Sequence, residues 1–227
     1  GVDIPDRKTT VDSWFTAELE EACSSWGFSG TEDHFNASGF GNPCDRYHWY
    51  AFRGRIPKKP LTGKFARLLQ HGNTFEDRME KYLLAMGGGT ILAREFPVAF
   101  EEGAFRITGR IDFIIRHLNL GKVVLELKTI NDKGYKALGG KPKDEHMLQV
   151  QMYLECLNLD WGLVAYENKN DQDVKTFRVA RDKEYWAKQV KRGQTIISDR
   201  FPPFECSSKY PRWCDCLRAT GVSDNES

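Results

Sequence analysis

The sequence predicts an α/β fold with a central mixed β-sheet flanked by helices. Three apolar, strand-like segments follow one another at residues 94–100, 104–117 and 121–130, with connections short enough for hairpins. A segment with helical spacing at 143–159 comes next, followed by another strand-like segment at 161–169. This order of meander, helix and strand predicts one α/β domain whose sheet is mixed.

The remaining elements are indicated by the spacing of apolar residues and by chain breakers. Residues 173–180 are a candidate strand that pairs with 161–169. A glycine run at 87–89 predicts where the helix before the meander ends. Four further segments show helical spacing: 9–27, 44–54, 63–89 and 182–200.

Composition sets the broad class of the protein. The chain has 227 residues, of which 40% are hydrophobic and 29% charged, as in a soluble domain with one core. No apolar run approaches the ~20 residues that a membrane span needs, and no secretory pattern marks the start, so we expect a cytoplasmic protein. The net charge is only +1, which gives no overall field for nucleic acid.

The strand-like segment "KVVLELKT" carries two charged residues of opposite sign on one face. Glu126 and Lys128 lie two positions apart, and the preceding strand carries Asp112 between apolar neighbours. In an antiparallel hairpin the two carboxylates can converge, and a hard divalent cation would relieve their repulsion. Lys128 would then place an ammonium beside the cation. The alternative is a structural Glu–Lys pair on a half-exposed sheet face.

Two further patterns flank these residues. Glu76 follows Gly72 by four positions in the helix before the meander and is either a third carboxylate or a solvated acid. Gln149 and Tyr153 lie four positions apart, on one face of the later helix. They can contact a phosphate or a base, or they form the boundary of an amphipathic helix.

In this order and spacing the motifs resemble the PD-(D/E)xK nuclease superfamily, in particular its RecB-type exonucleases, over residues 64–168. The resemblance implies a restriction-endonuclease-like core. It also implies that Asp112 and Glu126 bind Mg²⁺ or Mn²⁺, with the Leu127 carbonyl and Glu76 as further ligands. Many RecB-type members have His where this chain has Glu76. Lys128 would be the catalytic lysine, with Gln149 and Tyr153 as an accessory catalytic motif.

The cysteines also resemble a branch of this superfamily. One cysteine, Cys44, precedes the motifs, and three follow them: Cys206, Cys214 and Cys216. CRISPR-associated Cas-four exonucleases and AddB-type nuclease domains are similar, and there such cysteines hold an iron–sulfur cluster that joins the two ends. The resemblance implies a 4Fe–4S cluster, and 2Fe–2S, zinc and free or oxidised thiols stay open as alternatives, because the late spacing departs from that family.

The expected partner is DNA, single-stranded or at an end. Tyr135 and Lys136 lie in a glycine-rich loop, and Arg53 and Arg55 in a basic segment; these are the candidate DNA contacts, or else solvated surface. The domain division is expected as 1–63, 64–180 and 181–227 within one compact domain. Helicase, polymerase or CRISPR adaptation proteins would be separate chains.

The function expected from these observations is that of a Mg²⁺- or Mn²⁺-dependent DNA exonuclease, with endonuclease activity as a further expectation. Viral or prokaryotic replication, recombination and CRISPR adaptation are the expected settings. Two alternatives come from other classes: a non-catalytic DNA-end-binding module and a redox-sensing iron–sulfur module.

Overall fold

The meander predicted from the sequence forms three long strands within a six-stranded sheet. The computed structural model describes residues 11–24, 33–56, 62–87, 89–203, 206 and 216. The sheet order is β1-β3-β4-β5-β6, and β2 also pairs with β3. In chain order the strands are β1 (Phe35–Asn36), β2 (Gly89–Glu102), β3 (Phe105–His117), β4 (Gly121–Ile130), β5 (Trp161–Asn168) and β6 (Val174–Ala180).

The sheet is mixed, as the sequence predicts. Strands β4 and β5 are parallel, as are β1 and β3, whereas the β2–β3, β3–β4 and β5–β6 pairs are antiparallel. The chain between β4 and β5 contains two helices, because a parallel pair needs a long crossover connection. The predicted fold class, a central mixed sheet flanked by helices, is therefore confirmed.

The helices begin and end with recognisable caps. The side chain of Asp182 accepts a hydrogen bond from the Tyr185 backbone N–H at the start of the last helix, and Asn158 ends the longest crossover helix in a left-handed conformation. In chain order the helices are α1 (Val11–Ser24), α2 (Ala37–Phe40), α3 (Asp45–Phe52), α4 (Gly63–Ala85), α5 (Asp132–Lys136), α6 (Asp144–Leu157) and α7 (Lys183–Ser198).

Two compact units divide the chain. The first is Gly1–Gly30 with Lys58–Asp77, and in it Glu20 of α1 accepts a hydrogen bond from the Lys64 amide at 3.1 Å. Glu20 also forms an ion pair with Arg67 at 3.1 Å. The second unit, Thr31–Pro57 with Arg78–Ser227, contains all six strands, five of the helices (α2, α3, α5, α6 and α7) and the end of α4 after Asp77.

The core of the second unit lies between the sheet and α6. Every residue of α6 from 148 to 154 is buried. This is expected of a helix that packs against the sheet on one side and against other helices on the opposite side. Helix α7 approaches β3 closely, because a Cβ on Gly193 would lie 2.2 Å from a ring carbon of Phe105. Only glycine fits there without moving the ring.

The structure also adds to the predicted elements. Strand β2 begins at Gly89, five positions before the predicted start at Arg94, and both β1 and α2 lie between the helical segments predicted at 9–27 and 44–54. No helix among the described residues is long and apolar enough to cross a membrane. The division into 1–63, 64–180 and 181–227 stays a prediction.

Candidate active site

Strands β3 and β4 bring the two predicted carboxylates together. Their antiparallel register ends with the pair Phe113–Leu125, and Asp112 and Glu126 are the residues next to this last pair, one on each strand. The Leu127 backbone N–H donates a hydrogen bond to Asp112 Oδ2 at 2.6 Å. Glu126 has no exposed surface, which is rare for a carboxylate and costly unless the charge is compensated.

Lys128 supplies part of that compensation. Its Nζ lies 2.5 Å from Glu126 Oε1, and its side chain is 23% exposed. Burial lowers a lysine pKa, but the Glu126 and Asp112 carboxylates outweigh burial here and raise the pKa of Lys128. At neutral pH the group is therefore an ammonium, which can donate hydrogen bonds and stabilise negative charge but cannot act as a base.

The pKa of Asp112 is also raised, but for a different reason. Burial raises the pKa of its carboxyl group, although the Lys128 charge and the Leu127 amide oppose this shift. The nearby Glu95 carboxylate raises the pKa further. An anionic Asp112 is thus held at a cost in free energy, which a bound cation would lower.

Gln149, Tyr153 and the Arg110 carbonyl form a chain of hydrogen bonds, called the Tyr153 relay below, in which each donor and acceptor can be assigned. The Tyr153 hydroxyl lies 2.8 Å from the Arg110 carbonyl, which can only accept, so the hydroxyl donates to it. The hydroxyl oxygen then accepts from Gln149 Nε2 at 2.7 Å. This arrangement leaves Gln149 Oε1, which is buried, with no hydrogen-bond partner in the described parts of the chain.

A glycine makes room for this relay. A Cβ on Gly109 would lie 2.7 Å from Tyr153 Cε1 and 3.3 Å from the Tyr153 hydroxyl oxygen. Such a contact would displace the ring, so the position of Tyr153 depends on glycine at 109.

These residues line one cavity of about 390 Å³. The structure brings together five of the residues singled out in the sequence: Asp112, Glu126, Lys128, Gln149 and Tyr153. Two carboxylates with a buried amide oxygen fit a hard divalent cation such as Mg²⁺ or Mn²⁺, which prefers oxygen ligands. The ligand roles of the Leu127 carbonyl and of Glu76, which lies on α4 in the first unit, stay predictions.

Five residues of the cavity wall have no counterpart in the sequence motifs. The Asn36 side chain accepts hydrogen bonds from the Ser38 amide at 3.0 Å and the Ser38 hydroxyl at 2.6 Å, which places both residues at the start of α2. No sequence signal indicates that this short segment reaches the site. The five residues are Asn36, Ser38, Thr108, Gly109 and Arg110.

A buried tyrosine on the neighbouring strand and a partly buried histidine lie close to Lys128. Tyr166 pairs with Lys128 across β4 and β5, and its hydroxyl lies 2.7 Å from His146 Nδ1. The Lys143 backbone N–H also donates to this hydroxyl, at 3.0 Å. Burial, followed by the Lys128 charge, lowers the pKa of His146 to about 3, so its ring is neutral at physiological pH.

The structure places the four predicted DNA contacts differently from one another. Tyr135 is only 7% exposed, and the Lys175 amino group lies 4.3 Å from its ring centre, so the ring is packed in the protein rather than presented to a base. Lys136 is exposed and pairs with Asp132 at 2.8 Å. Arg55 is exposed and lies over the Trp49 ring.

The remaining predicted contact, Arg53, is committed to the protein backbone. Its guanidinium donates to the carbonyls of Ile196, Ile197 and Asp199 at 2.9–3.3 Å, and it lies over the Trp49 ring at 4.1 Å. These carbonyls belong to the end of α7, whose last turn leaves carbonyls without helical partners. The structural role of Arg53 is therefore to hold that helix end.

Three of the four predicted cluster cysteines meet in the structure. Cys44 Sγ lies 3.4 Å from Cys206 Sγ and 3.7 Å from Cys216 Sγ, and all three sulfurs lie within 4.8 Å of one another. Cys214 lies outside the described residues. These separations approach the ~3.8 Å edge of a tetrahedron of thiolates around one ion with metal–sulfur bonds of about 2.3 Å. The donor set fits a thiophilic metal centre, whether a single ion or a cluster.

Comparisons with solved structures give similar folds at low sequence identity. The crystal structure of SSO0001 matches with a TM-score of 0.51 and 18% identity, over 85% of this chain and 90% of that one. An alkaline exonuclease from Laribacter hongkongensis gives 0.49 and 16%, over 80% and 91%. A phage-related exonuclease from Haemophilus somnus gives 0.41 and 16%, over 68% and 73%.

At these identities the likeness to SSO0001 concerns the fold, and function has to be argued from the site. No protein-family model matches the chain, and no curated protein sequence matches it.

Proposed function

We propose that this protein is a metal-dependent DNA exonuclease that hydrolyses phosphodiester bonds by attack of water. The observation that carries this proposal is the convergence of Asp112, Glu126 and Lys128 on one polar cavity. Single-stranded DNA or DNA ends are the proposed substrates, with endonuclease activity as an extension. The proposed settings are viral or prokaryotic replication, recombination and CRISPR adaptation, in the cytoplasm.

The carboxylates of Asp112 and Glu126 would hold Mg²⁺ or Mn²⁺, with the Leu127 carbonyl and Glu76 as proposed further ligands. A cation bound there would lower the pKa of a bound water and neutralise charge on the phosphate. The raised pKa of Asp112 supports this assignment. It shows that the ionised carboxylate is unfavourable in the buried site, and a bound cation would make the ionised form more favourable.

Lys128 would stabilise the negative charge that develops on the phosphate during hydrolysis. Its raised pKa keeps it charged throughout the physiological range, and Glu126 fixes its position at 2.5 Å. Gln149 would act through its buried carbonyl oxygen, which the Tyr153 relay leaves without a donor. That oxygen can only accept, so it orients a water or hydroxyl rather than a phosphate oxygen.

The cysteines would hold an iron–sulfur cluster through Cys44, Cys206, Cys214 and Cys216, as the family resemblance implies. A single zinc ion is a second candidate, because the sulfur separations of 3.4 and 3.7 Å suit one tetrahedral ion. Metal analysis with visible absorption separates the two. Iron with a charge-transfer band supports the cluster, and colourless protein with one zinc per chain supports the ion.

Arg55 and Lys136 are the proposed DNA contacts that the structure leaves exposed. The alternative of a DNA-end-binding module without catalysis predicts binding that is independent of the carboxylates. A redox-sensing module predicts DNA binding that changes with the oxidation state of the cysteine site.

The nuclease proposal is tested by digestion of end-labelled single-stranded DNA with Mg²⁺ or Mn²⁺, and with EDTA. Asp112→Asn, Glu126→Gln and Lys128→Ala should each lower the rate by about 10²–10³-fold or more, because each removes charge from the reaction site. Lys122→Ala is the control, since Lys122 is an exposed lysine of the same strand. Circular dichroism establishes that each variant is folded.

Digestion at the wild-type rate by Asp112→Asn and Glu126→Gln, or digestion that survives EDTA, contradicts the proposed function. DNA binding without any digestion supports the non-catalytic alternative.

A further inference from the structure

Arg110, which lines the active-site cavity, forms an ion pair with Glu95. Arg110 lines the cavity two positions before Asp112, and its side chain is 63% exposed. Its guanidinium lies 3.2 Å from Glu95 Oε1 on β2. The sequence motifs do not indicate either residue.

This pair departs from the strand register. The β2–β3 register places Pro97 opposite Arg110, and Glu95 lies opposite Asp112, between the pairs Arg94–Phe113 and Phe96–Ile111. Arg110 therefore reaches diagonally to Glu95. Among the described strand residues, Glu95 is the only non-glycine residue with a positive φ, at 49°.

Stability does not account for this arrangement. A left-handed backbone costs a residue with a side chain about 1–2 kcal/mol, whereas an exposed ion pair contributes about 0.2–1 kcal/mol. The backbone cost is thus at least as large as the gain from the pair. Residues held in such sparsely populated conformations concentrate at functional sites.

A second arginine–glutamate pair on the same two strands shows the unstrained form. Arg106 lies directly opposite Glu101 in the register, and their charged groups are 3.1 Å apart. Both side chains are more than half exposed, and neither backbone has a positive φ. The strands can therefore form such a pair without strain, and the difference at Arg110 is its place at the cavity.

Both the backbone and the side chain of Arg110 are held by contacts within the protein. Its carbonyl accepts the hydrogen bond from Tyr153, and Glu95 holds its guanidinium from the other side. The result is a positioned guanidinium beside two carboxylates and an ammonium. A guanidinium presents parallel N–H donors that match the geometry of a phosphate.

We propose that Arg110 binds a backbone phosphate of the DNA strand that enters the site, next to the bond that is cleaved, and that Glu95 holds the guanidinium in place before DNA arrives. This inference rests on the proposed function, because the entering strand is the substrate of that reaction. It assigns to Arg110 the binding of substrate and not the chemical step.

The test compares Arg110→Gln with Arg106→Gln, which removes the same charge from the same strand away from the cavity. Binding of a fluorescent single-stranded oligonucleotide is measured by anisotropy in EDTA at several salt concentrations. Arg110→Gln should weaken binding about 10-fold and reduce the slope of log K against log salt by about 0.7, the value for one phosphate contact to a single strand. Arg106→Gln should bind as the wild type does.

A conservative variant separates charge from geometry. Arg110→Lys keeps the charge, so its salt slope should equal the wild-type slope while its affinity falls, because an ammonium lacks the planar donor pair. In digestion assays Arg110→Gln should raise KM about 10-fold and leave kcat within about threefold.

Equal affinity and equal salt slope for Arg110→Gln and Arg106→Gln would overturn the inference. Because binding is measured in EDTA, this outcome is independent of catalysis. A wild-type protein that binds DNA but never digests it overturns the proposed function alone. A wild-type protein that digests DNA, with Arg110→Gln binding like the control, overturns only the role of Arg110.

Discussion

Asp112 and Leu127, which a hydrogen bond joins, lie 15 positions apart on adjacent antiparallel strands. Cys44 instead contacts Cys206 and Cys216 across 162 and 172 positions. The acidic site is placed by strand register, which the whole sheet maintains. The cysteine site is placed by the two ends of the second unit, and Cys44 is connected to secondary structure as the N-cap of α3.

The two regions also differ in what they contribute to stability. A buried carboxylate such as Glu126 costs free energy that Lys128 offsets in part. Thiolates around a metal contribute the free energy of metal binding to folding. The acidic site is thus stabilised by the fold, whereas a metal held by the cysteines would itself stabilise the fold, so matched substitutions should have opposite effects on stability.

Removal of the Cys44 thiol, a proposed metal ligand, should give the largest change in stability. In protein loaded with the proposed metal, Cys44→Ser should lower the free energy of unfolding by about 3 kcal/mol or more, because the metal would no longer join Cys44 to the late cysteines. Serine can still accept the Tyr47 N–H that Cys44 Sγ accepts at 3.3 Å, so the helix cap is retained. Thermal unfolding and metal content per chain provide the measurement.

Cys156→Ser is the matched control, because Cys156 is a partly buried thiol of α6 that lies outside the cluster. It should keep the metal content of the wild type. Wild-type metal content and an unchanged unfolding midpoint in Cys44→Ser would remove the distinction between the two regions.

Acid should weaken the fold beside the cysteines through His48. Burial, followed by the Arg192 charge, lowers the pKa of His48 to about 4, while its Nε2 contacts the Asn42 carbonyl at 2.8 Å. In the unfolded chain His48 is protonated below about pH 6.5, whereas in the folded protein it is protonated only below about pH 4. The stability that depends on neutral His48 is therefore fully present above about pH 6.5 and is lost as the pH falls towards 4.

The variant His48→Gln isolates this contribution. Between about pH 7.5 and about pH 5, the free energy of unfolding in urea should fall by roughly 2 kcal/mol more in the wild type than in the variant. His146, whose pKa is also lowered, titrates in both proteins and cancels from the difference. An identical pH dependence in the two proteins would assign the acid sensitivity to another group.

The sequence predicts the sheet better than the elements that complete the site. Strands β3 and β4 are apolar segments joined by a short turn, and their pattern predicts both the hairpin and the facing of Asp112 and Glu126. Strand β1 has two residues, too few for any periodicity, and α2 has four. Asn36 and Ser38 reach the cavity through these short elements, so no local pattern indicates them.

Contacts between distant segments account for the other differences. Tyr135 and Arg53 carry residue types suited to DNA, and the structure shows Tyr135 packed against Lys175 and Arg53 hydrogen-bonded to the end of α7, contacts that no local pattern indicates. Glu95 has a left-handed backbone within the paired strand β2, and no residue type next to it in the sequence indicates this conformation. Local chemistry predicts which residues suit a site, and tertiary packing decides which of them remain available.

The smallest predicted effect concerns the acidic region and has the opposite sign to that of Cys44→Ser. In metal-free protein, Asp112→Asn should raise the free energy of unfolding by about 1 kcal/mol, because the amide avoids the cost of a buried charge. The raised pKa of Asp112 supports this direction, and an amide oxygen can still accept the Leu127 N–H. Urea unfolding at neutral pH compares it with Asp160→Asn, a change at an exposed aspartate that should be neutral. If Asp112→Asn lowers stability while Asp160→Asn does not, the carboxylate is a stabilising group of the fold, and the contrast with the cysteine region fails.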